Sequence, residues 1–124
     1  MKTIIAGSRG IDDYSVVKAA IAFSGFEITE VVSGGANGVD KLGERWAKDN
    51  GVPITRFIPD WSIGKSAGIR RNEKMARYAD CVICIWDGVS PGTKHMMQFA
   101  KRLGLKVFVH THIDAGSSLD EFFQ

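Results

Sequence analysis

The sequence predicts an α/β protein with a Rossmann-like, doubly wound, parallel five-stranded sheet of order 3-2-1-4-5 and helices on both faces. Three observations carry this. Short runs rich in Val and Ile alternate with stretches of helical periodicity along the chain. The runs are apolar throughout, as in Cys81-Val82-Ile83-Cys84-Ile85-Trp86, which is how strands covered on both faces read. Glycine-bearing turns follow the runs, above all in Val31-Val32-Ser33-Gly34-Gly35-Ala36-Asn37-Gly38-Val39-Asp40. Right-handed crossovers then leave few topologies open.

Taken in order, Lys2 to Ala6 is the first strand, and Gly7-Ser8-Arg9-Gly10 turns out of it. Asp12 or Asp13 caps a helix with apolar positions Val16, Val17, Ala20, Ile21 and Phe23, ending near Gly25. Ile28 to Ser33 is the second strand. The second helix carries Val39, Leu42, Trp46 and Ala47 on one stripe and stops at Asn50-Gly51. Pro53 precedes a third strand, Ile54 to Ile58. A loop with Gly64 and Gly68 leads into a third helix running through Met75 to Ala79. Asp80 to Trp86 is the fourth strand and Asp87 to Gly92 a turn. Thr93 to Leu103 is a fourth helix with Met96, Phe99, Ala100 and Leu103 inward, stopped by Gly104. Lys106 to His110 is the fifth strand, and Ser117 to Phe123 a short helix.

The 124 residues suit a single domain, 1–124, with 112–124 as a C-terminal tail or short helix. Hydrophobic residues at 44% and charged residues at 24% are ordinary for a soluble globular chain. No apolar run approaches a membrane span, and the stretch before Gly7 is too short for a secretory signal, so the cytoplasm is the expected location. A net charge of +2 is too small to imply nucleic acid. Five basic residues (Lys65, Arg70, Arg71, Lys74, Arg77) nevertheless cluster against one acid, Glu73. Cys81 and Cys84 have C-x-x-C spacing, but on a strand they point to opposite faces and read as core residues. His110 and His112 share a strand face without a third ligand, so no metal site is expected.

In the expected sheet order the switch point lies between strands one and four, where ligands of such folds bind. Gly7, Ser8 and Arg9 leave strand one there, and Asp87 to Thr93 leave strand four. The Gly34, Gly35 and Gly38 turn lies beside them. Glycine allows positive φ and close approach of a ligand, and the helix that follows points free N–H groups over the turn. Ser90, Gly92 and Thr93 offer hydroxyls and N–H groups at a second helix start, either as an anion site or as plain capping. Arg71 can fork two phosphate oxygens, or be a solvated arginine. Arg70 and Lys74 read as solvent-facing. Asn37 suits a turn. Asp40, on a first helical turn, would repel phosphate but accept from ribose hydroxyls, or simply favour its own helix dipole. This places sugar or base near Asp40 and phosphate near Arg71 and Ser90 to Thr93. Asp87 could face a ligand hydroxyl, and Trp61 or Trp86 could stack a base. The glycine turn is not a Walker A loop, because no Lys-Ser/Thr follows it.

Together, Gly7-Ser8-Arg9, Ser33 to Asp40, Asp60-Trp61, Ala67 to Ala76, Ala79-Asp80 and Ser90-Pro91-Gly92-Thr93 resemble the YpsA-related branch of the SLOG superfamily, named for Smf/DprA and the LOG enzymes. The resemblance runs from the first strand to the fourth helix. It implies a Rossmann-like fold that binds nucleotides or nucleotide-derived ligands, in some members as sensors of nucleotide second messengers. LOG enzymes are phosphoribohydrolases with P-G-G-x-G-T-x-x-E and R-K-x-x-M motifs. Arg71 and Gly92-Thr93 match these motifs, whereas Asn72 stands at the lysine position and Met96 at the glutamate position. A thioether cannot stabilise an oxocarbenium ion, and glycosidic hydrolysis normally needs a carboxylate at the reacting carbon. Gln98 is neutral, and His95 stands one residue early.

The expectation is therefore a nucleotide or ADP-ribose-like ligand bound by Gly7, Ser8, Arg9, Gly34, Gly35, Asn37, Gly38, Asp40, Arg71, Asn72, Asp87, Ser90, Gly92 and Thr93, with no further cofactor and with self-association into a homo-oligomer. The alternatives are an N-glycosidic hydrolase acting through Asp40 or Asp87, and a single-stranded nucleic-acid binder like the DprA relatives. The short basic cluster without interleaved aromatics counts against the latter.

Overall fold

A computed structural model describes residues 1–113. Strand β1 (Lys2–Gly7), helix α1 (Tyr14–Ser24), β2 (Glu30–Ser33), α2 (Val39–Asp49), β3 (Ile54–Arg56), α3 (Ala67–Tyr78), β4 (Cys81–Trp86), α4 (Pro91–Arg102) and β5 (Lys106–Thr111) follow in order, with a 3-10 turn at Trp61–Ile63. The five strands form one parallel sheet of order β3-β2-β1-β4-β5. The fold expected from the sequence is the observed one.

Alternation along the strands builds two cores. Ile4, Ala6, Val32, Val82 and Cys84 pack beneath α3 and α4, against Met75, Ala76, Met96 and Ala100. Ile5, Val31, Ile83 and Ile85 pack beneath α1 and α2, against Val17, Ala20, Val39 and Ala47. Each fully buried aliphatic side chain contributes about 1.5–3 kcal/mol relative to exposure. The sheet is thus covered by a core on each face, and its carboxyl edge carries the loops. Cys81 and Cys84 lie on opposite faces of β4 as free thiols. The Cys81 sulfur pairs with the Thr3 hydroxyl at 3.2 Å, while burial pushes the Cys84 thiol up to about 12.

Several boundaries differ from the sequence reading. Asp13, not Asp12, caps α1, accepting from the Ser15 N–H at 3.0 Å, and Gly25 closes the helix with φ of 70°. Strand β2 begins at Glu30 rather than Ile28. Strand β3 stops at Arg56, although the Phe57 N–H still donates to the Ser33 carbonyl at 2.8 Å before the chain leaves the sheet. Gly68 lies inside the first turn of α3, and α4 starts at Pro91, whose fixed φ suits a first helical position. Phe23 and Leu103 point outward, at 81% and 43% exposure. On α2 the most buried line is Val39, Asp40, Gly43, Glu44 and Ala47, with Leu42 and Trp46 beside it, because a side chain at Gly43 would strike Ile5 and the helix turns this seam to the sheet. The proposed helix at Ser117 to Phe123 lies outside the described residues. Among those residues, no helix is long and apolar enough to cross a membrane.

Candidate functional site

At the end of β1 a side chain on Gly7 would run into the Ile85 carbonyl and Val39. Glycine therefore lets β1, β4 and α2 meet. Buried Ser8 fastens the junction. Its N–H donates to the Ile85 carbonyl at 3.1 Å, its own carbonyl accepts from Ile11 and Val39, and its hydroxyl accepts from the Asp87 N–H at 3.0 Å. Gly38 passes directly beneath this loop. It has φ of 78°, and a Cβ there would lie 2.6 Å from the Ser8 carbonyl oxygen and 2.5 Å from that of Arg9. Both the backbone angle and the space demand glycine.

The turn between β2 and α2 is held from behind by a buried acid. Ser33 accepts from the Gly35 N–H at 3.1 Å and donates to Glu44 at 2.7 Å. Arg56 grips the other Glu44 oxygen through Nε at 3.0 Å and Nη2 at 2.8 Å. Burial works to raise the Glu44 carboxyl, yet these hydrogen bonds outweigh it and hold the group below its ordinary value. Neither Glu44 nor Arg56 figured in the sequence reading. The readable signal was Glu44 four residues after Asp40, on the same helix face, opposite a strand ending in serine.

Gly34 sits between the two charged groups of the site. A Cβ there would lie 2.5 Å from Arg71 Nη1 and 2.9 Å from Asp40 Oδ2. Arg71 Nη1 donates to the Gly34 carbonyl at 2.6 Å and Nε to Asn72 at 3.1 Å, while among the described residues Nη2 makes no hydrogen bond. Asp40 is only 6% exposed and accepts from the Ala36 N–H at 3.2 Å. Burial pushes its carboxyl up to about 6, against the pull of the Ala36 N–H, the Arg71 guanidinium and the Gly7 N–H. A carboxyl poised near neutrality in a cleft marks a functional-site candidate.

These parts border a crevice of about 370 Å³ at the carboxyl edge of the sheet, between the exits of β1 and β4. Its floor is apolar: Ala6, Met75 and Met96. Gly7 to Gly10 with Ala36 and Asp40 form one side, Arg71 and Asn72 another, and Ser90 to Thr93 at the start of α4 the third. Asn72 Nδ2 donates to the Gly92 carbonyl at 3.2 Å, tying α3 to that third side. The Ser90 hydroxyl does not cap α4. It donates to Asp87 at 2.7 Å, which leaves the opening N–H groups of the helix without a side-chain cap beside the crevice.

A family model described as "YspA, cpYpsA-related SLOG family" matches residues 1–64. "Gene 61 protein" of Mycobacterium phage D29 is 36% identical over 117 residues, spanning 86% of this chain and 93% of that protein. The chain belongs to the YpsA-related SLOG family. No solved structure matches it significantly. The family match covers the β1 exit loop and the glycine turn of this SLOG chain, while Arg71 and the α4 start lie beyond it.

Of the residues singled out in the sequence, Gly7, Ser8, Arg9, Asp40, Arg71, Asn72, Ser90, Gly92 and Thr93 border the crevice. Gly34, Gly35, Asn37 and Gly38 do not line it. Gly34 and Gly38 shape it from behind through the close approaches above. Asp87 is also set back, with its carboxylate accepting from the Val89 and Ser90 N–H groups at 2.9 and 2.7 Å. Burial works to raise its carboxyl, but the hydrogen bonds from Ser90, Val89 and Ser8 bring it down to about 2. Trp86 donates to the Ser90 carbonyl at 3.0 Å, and Trp61 is exposed on the 3-10 turn. Neither borders the crevice. The floor residues Ala6 and Met75 were read only as parts of the first strand and of the third helix, not as site residues.

Proposed function

We propose that this SLOG protein binds a nucleotide or nucleotide-derived ligand in the crevice between the β1 and β4 exits, acting as a sensor or regulator through the bound state. The observation that carries the reading is the pairing of Arg71, with an uncommitted Nη2, and the uncapped start of α4 across one apolar floor. A guanidinium and free helix N–H groups are complementary to phosphate, and an apolar floor suits a base or the carbon face of a sugar. Asp40, on the side next to Gly34, supplies an acceptor for sugar hydroxyls. Family membership supports a nucleotide-related role. Calorimetry tests it: AMP and ADP-ribose bind, and adenosine binds far more weakly.

A second reading, N-glycosidic hydrolysis, is favoured by one observation, the buried Asp40 carboxyl at about 6. Such a group can exchange a proton near neutral pH. Asp87, held by its own loop, is unsuited to that role. Met96 lies in the floor where the LOG motif has its glutamate, so binding ranks above turnover. Release of free base from a nucleotide panel, abolished by Asp40→Asn, would reverse the order.

A further inference from the structure

Arg71 borders two cavities. Besides the crevice, it lines a second hollow of about 440 Å³ between the β3 exit, the 3-10 turn and the first turns of α3. Arg71 is the lining residue common to both, and the glycine turn packs against it from behind. A Cβ on Gly34 would press on Arg71, and one on Gly35 would lie 2.7 Å from Ile58 Cδ1, inside the second hollow. Ile58 and Ile63 line this hollow at 65% and 49% exposure, an apolar surface open to solvent. Arg70 and Lys74 line it as well, and among the described residues the side chains of both lack an ion pair or hydrogen bond. Arg56 is committed to Glu44. The one lining acid, Asp60, accepts from the Ser62 N–H and hydroxyl at 3.1 and 2.5 Å, and the Lys74 charge adds to the pull of these bonds in holding its carboxyl below the ordinary value.

Scattered surface cations are ordinary. What sets Arg70 and Lys74 apart is a shared wall with a phosphate-type crevice and a concave apolar face between them. The crevice by itself is small, because ligand pockets run from about 300 to 1,000 Å³. We infer that the second hollow takes the second phosphate-bearing unit of an extended ligand, with Arg71 as the clamp between the units. The ligand class is then a dinucleotide-type molecule with two separated anionic groups rather than a mononucleotide. This rests on the nucleotide reading above. Joining the two units makes the second contact intramolecular, so each hollow adds to the affinity of the other.

The test compares AMP, the 5′-phosphorylated dinucleotide pApA and a longer oligoadenylate by calorimetry, on wild type, the Arg70→Ala/Lys74→Ala double variant and Lys74→Glu. Both changes are on exposed side chains, and thermal melting checks that each variant folds. The expected result is that pApA binds wild type at least about tenfold tighter than AMP. Both variants lose most of that advantage and leave AMP within about twofold, because single exposed charge contacts are worth little to a ligand that does not reach them. Equal affinity for AMP and pApA in wild type overturns the inference and leaves the nucleotide reading standing. Variants that weaken AMP and pApA equally overturn it too. Affinity that keeps climbing with oligoadenylate length overturns it in favour of a nucleic-acid strand. No binding of AMP or pApA to wild type overturns both readings.

Discussion

Arg71 Nη1 donates to the main-chain carbonyl of Gly34 at 2.6 Å, across 37 residues of sequence. That bond joins α3 to the turn between β2 and α2 and holds the guanidinium at the edge of the crevice. Arg71→Ala is expected to remove most of the preference for AMP over adenosine, about 1.5–3 kcal/mol. Arg71→Lys keeps the charge but not the fork, and recovers only part of it. Calorimetric titration of both ligands against each variant reads this directly, and equal loss for AMP and adenosine would show that the arginine only supports the turn.

Gly38 fixes how α2 meets the β1 exit loop. With φ of 78° and carbonyl oxygens 2.5 and 2.6 Å from any Cβ, it leaves no room for alanine. Gly38→Ala is expected to cost more than about 2 kcal/mol, the sum of left-handed strain and displaced backbone. Urea unfolding checks it, with a lowered midpoint and an unchanged slope.

The Asp40 carboxyl rises from 3.8 to about 6 on folding. Between those values the folded state holds more protons than the unfolded one, so this group's contribution to stability falls as pH rises through that window. Asp40→Asn copies the neutral form. It is expected to stabilise the protein by up to about 3 kcal/mol at pH 8, with the gain shrinking towards zero near pH 4. Denaturation midpoints of both proteins across that range test the sign, and a variant less stable at pH 8 would refute it. Weakened nucleotide binding in the same variant would make Asp40 a case of stability given up for function.

The two thiols face away from each other across β4. Under oxidising conditions no Cys81–Cys84 disulfide is expected, since Cβ vectors on opposite faces cannot be bridged without moving the strand. Cys84, with its thiol pushed up to about 12, is expected to resist alkylation until the protein unfolds. Mass spectrometry of the native protein after treatment with iodoacetamide measures both, and ligand binding is expected to be the same in oxidising and reducing buffer.

The proposed binding calls on the arginine and the helix start, whereas LOG-type turnover would also call for a carboxylate at the position of Met96. Negligible release of base from AMP is expected, by chromatography after prolonged incubation. Robust turnover that survives both Asp40→Asn and Asp87→Asn would mean that the chemistry lies elsewhere in the molecule.

The sequence by itself determined the sheet. Continuous apolar runs such as Cys81 to Ile85, alternating with helical stretches, admit one economical arrangement, and the switch point follows from its order. Local chemistry also made the glycine turn legible, because glycines after a strand admit a positive φ, though the close approach of Gly38 to the Ser8 and Arg9 carbonyls came only from the packing. Tertiary structure decided the rest. Which carboxylate faces the crevice depended on where each loop closes: Asp87 turns back to its own Val89 and Ser90 N–H groups, while Asp40 is carried inward by α2. The bracing of the turn by Glu44 and Arg56 joins three elements; the helical spacing of Asp40 and Glu44 puts them on one face, but only the packing brings Arg56 and Ser33 to Glu44. The second hollow arises because β3 ends at Arg56 and sends Ile58 outward beside α3. Pairings of this kind depend on distances between residues far apart in the chain, and only the packed sheet sets those distances.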